Sequence, residues 1–186
     1  MKQLLRRITK NQAGLTLIEL MIALAITGIV TAAVTMLTFQ VLDSQARANN
    51  HMDAINRVQN AGRLISQDAS MAQVVLRTSD DDGFPLTLTW TDWADNEVHN
   101  VVYSIDNNQL LREYYVGDVD GSPDNSYPLQ YVIGAQPDNP TVPVTYCLRD
   151  PTTNELTFTL TAIAGIGSQQ VSETRQYKTI PRPIML

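Results

Sequence analysis

LTLIELMIALAITGIVTAAVTMLTFQVL, residues Leu15 to Leu42, carries a single ionisable side chain, Glu19. As an α-helix rising about 1.5 Å per residue the stretch is about 42 Å long, enough to cross a hydrocarbon core of about 30 Å. Lys2, Arg6, Arg7 and Lys10 precede it with no acid among residues 1–14, a local +4. Cations gather on the cytoplasmic side of membrane helices. The pattern therefore predicts a single-pass anchor in the cytoplasmic membrane, with the N-terminus inside and everything after Leu42 outside. A secretory signal fits less well, because its apolar stretch runs only about 7–15 residues before a small-residue cleavage site. Here Gln40, Asp43 and Ser44 follow the run without an A-x-A pattern.

The junction Ala13-Gly14-Leu15-Thr16-Leu17-Ile18-Glu19-Leu20 distinguishes this segment from a plain anchor. A carboxylate at the centre of a membrane helix costs about 2.5–3.5 kcal/mol on insertion scales, and an acid at such depth marks a functional site with a partner. Glu19 is shallower and pays less. Its plainer reading is an acid that snorkels to the headgroups. Ala23, Ala25, Gly28, Ala32 and Ala33 punctuate the run. Small residues let membrane helices approach closely, and they are also simply common in such helices.

The run Gly14-Leu15-Thr16-Leu17-Ile18-Glu19-Leu20-Met21-Ile22-Ala23-Leu24-Ala25-Ile26 resembles the class III prepilin signal of type IV pilins and type II secretion pseudopilins. The resemblance implies a leader, residues 1–14, cut after Gly14 by a prepilin peptidase. It also implies N-methylation of Leu15, and assembly with other pilin or pseudopilin subunits through the N-terminal helices. Glu19 becomes the acid at mature position five, matched by the amine that cleavage frees on Leu15. Leu15 departs from the family's usual phenylalanine or methionine. Where many major pilins have a proline at mature position 22, this chain has Met36, and no proline occurs before Pro85.

From Asp43 onward the period changes. Met52, Ile55, Val58, Gly62, Ile65, Ala69, Ala72 and Leu76 follow three- and four-residue steps, opposite Arg47, Asn50, Asp53, Arg57, Asn60, Arg63 and Gln67. This is an amphipathic stripe, and it predicts one helix from Leu15 to near Leu76 that ends at the acidic run Asp80-Asp81-Asp82. Residues 15–42 are then the membrane or filament-core part and 43–78 the amphipathic extension. Residues 79–186 alternate as strands: Leu86–Asp92, Glu97–Ile105, Gln109–Val116, Leu129–Ile133, Val144–Leu148, Glu155–Ala162 and Gln170–Ile180. Asp106-Asn107-Asn108 and Thr152-Thr153-Asn154 read as turns, since Asn tolerates positive φ. The expected fold is α+β, a type IV pilin-like long helix packed on an antiparallel β domain. The order of these pieces, with Val102-Tyr103-Ser104, Leu110-Leu111-Arg112 and the closing Ile180-Pro181-Arg182-Pro183, resembles minor pilins and pseudopilins of the PilW or GspJ (PulJ) type. That implies a low-copy subunit at a filament tip or in priming assembly.

Outside the leader the chain has nine basic and nineteen acidic side chains, a net −10. Phosphate binding needs clustered Lys and Arg, so no nucleic-acid partner is expected. Cys147 is the sole cysteine and reads as a buried apolar residue of a strand rather than a reactive thiol. Asp118, Asp120 and Asp124, in VGDVDGSPDN, are hard oxygen donors that suit calcium, but without an EF-hand spacing they read equally as a solvated turn. Otherwise no metal or cofactor is expected. His51 and His99 are far apart, and no nucleophile–base set or phosphate loop is present. The chain is read as a structural subunit, not an enzyme. The rival from another class is an uncut, membrane-anchored adhesion or ligand-binding protein.

Overall fold

The computed structural model describes residues 16–77, 83–117, 119, 121–136 and 138–182. The chain divides into two units, Met1–Gln45 and Ala46–Leu186. One helix, α1 (Leu17–Met71), has residues in both.

In the first unit α1 is apolar on every side and exposed along its whole circumference, from Leu17 at 77% to Phe39 at 68%. It is long and apolar enough to cross a membrane. In the second unit the helix is one-sided, burying Ala54, Val58, Ala61, Gly62, Ile65, Asp68 and Ala69. Most of the expected stripe is inside, since Val58, Gly62, Ile65, Ala69 and Ala72 are buried, and Ala54, Ala61 and Asp68 widen it, whereas Met52 is exposed. Small residues at these inner positions let the sheet approach the helix axis closely.

The helix ends at Met71, earlier than the expected Leu76. Residues 74–77 instead form strand β1 (Val74–Arg77), antiparallel to β2 (Leu86–Asp92). Val74-Val75-Leu76 is β-branched and apolar, so a sheet edge with ladder hydrogen bonds suits it better than a solvated helix end. The acidic run to which the helix stop was assigned lies outside the described residues.

The sheet continues with β3 (Glu97–Asp106), β4 (Gln109–Val116) and β5 (Asn125–Ile133), then β9 (Leu156–Ala164) and the edge strand β10 (Val171–Thr179). Strand β8 (Tyr146–Arg149) pairs with the start of β9, and β6 (Ala135–Gln136) and β7 (Asn139–Pro143) make a separate small ribbon. Every pairing is antiparallel. The expected α+β architecture is borne out, and the strand bounds of β2 and β4 agree residue for residue with the sequence reading. The two-residue β6 and the short β7 were not legible.

Turn chemistry is as the sequence implied. Asn107 and Asn108 sit at φ 48° and 60° between β3 and β4, and Asn154 at φ 59° before β9. Strand β5 contains a bulge: Leu110 faces Leu129, but Gln109 faces Ile133. Tyr131 takes φ 66° there, its ring 3.8 Å beneath the Arg57 guanidinium. The bulge bends β5 away from β4, and Val132 then pairs with Ala162 of β9.

The core lies between α1 and one face of the sheet. Val58, Ile65, Leu86, Leu88, Val101, Tyr103, Leu110, Leu156, Phe158 and Leu160 are all fully buried. Burying a side chain of this size contributes about 1.5–3 kcal/mol. Cys147 is also fully buried, in β8, as its sequence context implied. Trp90 packs against the core from β2, whereas Trp93, in the β2–β3 turn, is exposed.

The candidate assembly helix and the ties of the second unit

Thr16 immediately precedes α1, and Glu19 is its third residue. The Thr16 backbone N–H donates to Glu19 Oε2 at 2.9 Å, and the Thr16 hydroxyl donates to the same oxygen at 2.8 Å. In return the Glu19 backbone N–H donates to Thr16 Oγ1 at 3.3 Å. This is a capping box, in which each side chain accepts from the other residue's otherwise orphaned backbone N–H. The carboxylate also lies at the positive end of the helix dipole. A lone acid beside an apolar helix is thereby given local hydrogen bonds. The T-x-x-E signature announces this at the sequence level, where Glu19 stands out by its charge and Thr16 does not.

Further along, four threonine hydroxyls donate back into the helix: Thr27 to Ala23 O, Thr31 to Thr27 O, Thr35 to Thr31 O and Thr38 to Val34 O, at 2.7–2.9 Å. Thr27, Gly28, Thr31, Ala32 and Thr35 share one shallow face with the larger Leu24, Met36 and Phe39. With the hydroxyls satisfied internally, the middle of that face presents small, effectively apolar surface, the kind against which helices pack closely in lipid. The alanine and glycine positions were read from sequence. The threonines were not, although their four- and three-residue spacing was visible.

Gly14 and Leu15, the expected cut site, lie outside the described residues, as do Asp118 and Asp120 of the calcium candidate. Asp124 is described, and its Oδ2 accepts the Val116 backbone N–H at 2.6 Å. Leu42, the expected end of the apolar run, is an exposed residue of α1. His51 is exposed on the helix. His99 is half-buried, and its Nδ1 lies 2.7 Å from the Tyr114 hydroxyl.

The second unit is fixed by polar ties that sequence did not reveal. Buried Asp68 on α1 receives Nε of Arg112 at 2.8 Å and Nη2 at 3.2 Å, and the Tyr103 hydroxyl at 2.5 Å. Burial, and then the Asp68 carboxylate, push the Tyr103 phenol well above its ordinary value. Burial alone would lower the Arg112 guanidinium, but its bond and attraction to Asp68 carry it upward. Elsewhere Asn50 Nδ2 donates to Gln169 O at 2.9 Å, Arg57 Nη1 to Ile163 O at 2.7 Å, and Tyr177 Oη to Val58 O at 3.1 Å. These bonds hold β9, β10 and the turn between them along the helix.

The prokaryotic N-terminal methylation motif matches residues 9–35. No curated protein and no solved structure matches the chain. The matched stretch includes Lys10, Gly14, Glu19 and the exposed apolar helix as far as Thr35. With that motif at its head and with the later part of the helix packed on an antiparallel sheet, the chain is type IV pilin-like.

Proposed function

We propose that the chain is a minor pilin or pseudopilin, a structural subunit cut after Gly14, methylated on Leu15 and built into, or priming, a type IV pilus or type II secretion pseudopilus. One observation carries the reading: the methylation motif at residues 9–35 runs directly into a fully exposed apolar helix whose sole ionisable group from Leu17 to Leu42 is Glu19. Exposed apolar surface of that extent needs lipid before assembly and neighbouring helices after it. Both hydrogen bonds from Thr16 go to Oε2 of Glu19, so Oε1 is the atom to receive the Leu15 amine of a neighbouring subunit. Pairing those charges in an apolar filament core sets the stagger between subunits. Removing one member of such a pair costs about 3–5 kcal/mol. The PilW or GspJ-like order of the strands favours a low-copy place at the tip or in initiation.

Intact mass of the chain from producing cells, with and without the prepilin peptidase, is the test. Loss of residues 1–14 plus one methyl group, dependent on the peptidase, is expected. A full-length chain in the working filament or envelope sinks the reading and leaves the uncut adhesion protein. Glu19→Gln preserves the capping geometry, because Gln serves the same box position, but it removes the charge. It is expected to be processed normally and to fail to enter filaments.

A further inference from the structure

At the end of the sheet formed by the β2–β3 hairpin, Asp92 closes β2, Asp95 lies in the turn, and His99 stands in β3. One ligand atom from each lies within 4.8 Å of the other two. The imidazole belongs to a triangle of neighbouring rings, in which the Trp90 and Tyr114 centroids lie 6.5 Å from each other. Trp90 stacks against it with ring centroids 5.5 Å apart and 24° between planes, and Tyr114 at 5.9 Å and 15°. The Tyr114 hydroxyl, 2.7 Å from Nδ1, occupies that nitrogen and fixes the ring's rotation. A histidine oriented through one nitrogen by a neighbouring group, with its other nitrogen spared, is the arrangement metal-binding histidines use. Each aspartate spends Oδ1 on the turn, accepting from Ala94 N at 2.9 Å and from Glu97 N at 3.1 Å. The hairpin therefore holds both side chains in place while Oδ2 of each stays a candidate donor.

We propose that Oδ2 of Asp92, Oδ2 of Asp95 and Nε2 of His99 form a surface site for a divalent transition-metal ion, with water completing the shell. Two carboxylates and an imidazole suit zinc or its neighbours, whereas calcium takes oxygen donors and gains little from a ring nitrogen. Zinc bonds of about 2.0–2.1 Å put tetrahedral ligand atoms about 3.4 Å apart. The donors, within 4.8 Å of one another, close on the ion by rotation of the two exposed carboxylates, while the Tyr114 hydroxyl holds the ring. The site is built within the second unit and does not depend on the pilin reading. Its consequence is to pin the hairpin turn that carries exposed Trp93.

The experiment is calorimetric titration of the whole detergent-solubilised chain, freed of metal with chelator, with zinc chloride and separately with calcium chloride. One zinc per chain is expected, with calcium binding at least about tenfold more weakly. Asp95→Asn and His99→Gln are each expected to weaken zinc by about tenfold or more with unchanged far-ultraviolet dichroism. His51→Gln, which alters the other histidine, is expected to leave zinc binding unchanged. Because His99 packs against two rings, Asp95→Asn decides the matter if His99→Gln unfolds. Absence of zinc binding, loss of zinc through His51→Gln, full retention in Asp95→Asn, or calcium binding as tightly as zinc overturns the proposal.

Discussion

Asp68 of the helix and Arg112 of β4 meet in a two-pronged ion pair at 2.8 and 3.2 Å, both nearly excluded from solvent, with the Tyr103 hydroxyl on the same carboxylate. The pair fixes which turn of the helix sits over which rung of the sheet. A shift of one helical step would leave two charges and a phenol unmatched in the core, and a buried unmatched charge is among the costliest single defects a fold can carry.

Breaking that pair from one side should therefore be severe. Asp68→Ala, which strands the guanidinium, is expected to cost about 3–5 kcal/mol in urea unfolding of the whole chain in detergent. The double change Asp68→Leu with Arg112→Met should recover much of the loss, since an apolar pair of similar volume needs no desolvated charge. If both variants lose equally, the pair itself is not what matters.

Gly62 offers a test in which two rules oppose each other. Alanine inside a helix is favoured over glycine by about 1 kcal/mol. A methyl group at position 62 would, however, overlap the ring of Tyr177, which is tied to the helix through Val58 O. Overpacking of this kind costs about 1–3 kcal/mol. Gly62→Ala is expected to lower the melting temperature in the wild-type background and to raise it once Tyr177→Leu has removed the ring. A rise in both backgrounds would mean that the ring yields freely.

Alkaline pH should unfold the second unit. Burial raises the phenols of Tyr103, Tyr114, Tyr115 and Tyr177, and for Tyr103 the Asp68 carboxylate adds to it. Below about pH 10 native and unfolded chains both keep these protons. Above it the unfolded chain releases them first, so stability present below that pH declines as pH rises toward the native values. Denaturant midpoints measured at pH 9, 10 and 11 are expected to fall progressively, and less steeply in Tyr103→Phe. An unchanged slope in that variant would remove Tyr103 from the account.

The capping box separates geometry from charge at the helix head. Thr16→Ala is expected to cost about 0.5–2 kcal/mol, confined to the first turn, and to appear as faster amide exchange at Ile18 and Glu19 in detergent. Thr16→Ser should restore protection. Uniform loss along the helix, or none, would show that the box does not govern the start of α1.

A single stretch of sequence determined a good deal of this protein. The apolar run with its lone glutamate, the cations before it and the glycine between them depend only on local composition and spacing, and these delivered the long apolar helix and the methylation motif. Strand alternation and asparagine turns are also local, so β2, β4 and the turn at Asn107-Asn108 were legible. Tertiary structure decided where α1 stops, because Val74-Val75-Leu76 is equally apolar as helix or strand until β2 supplies a ladder to join. It also decided the role of Asp68, an acid whose partner is forty-four residues away. The meeting of Asp92, Asp95 and His99 depends on β3 returning beside β2. Short-range preferences are written in neighbouring residues, whereas the partner of a buried charge or a ligand atom exists only after the chain has closed on itself.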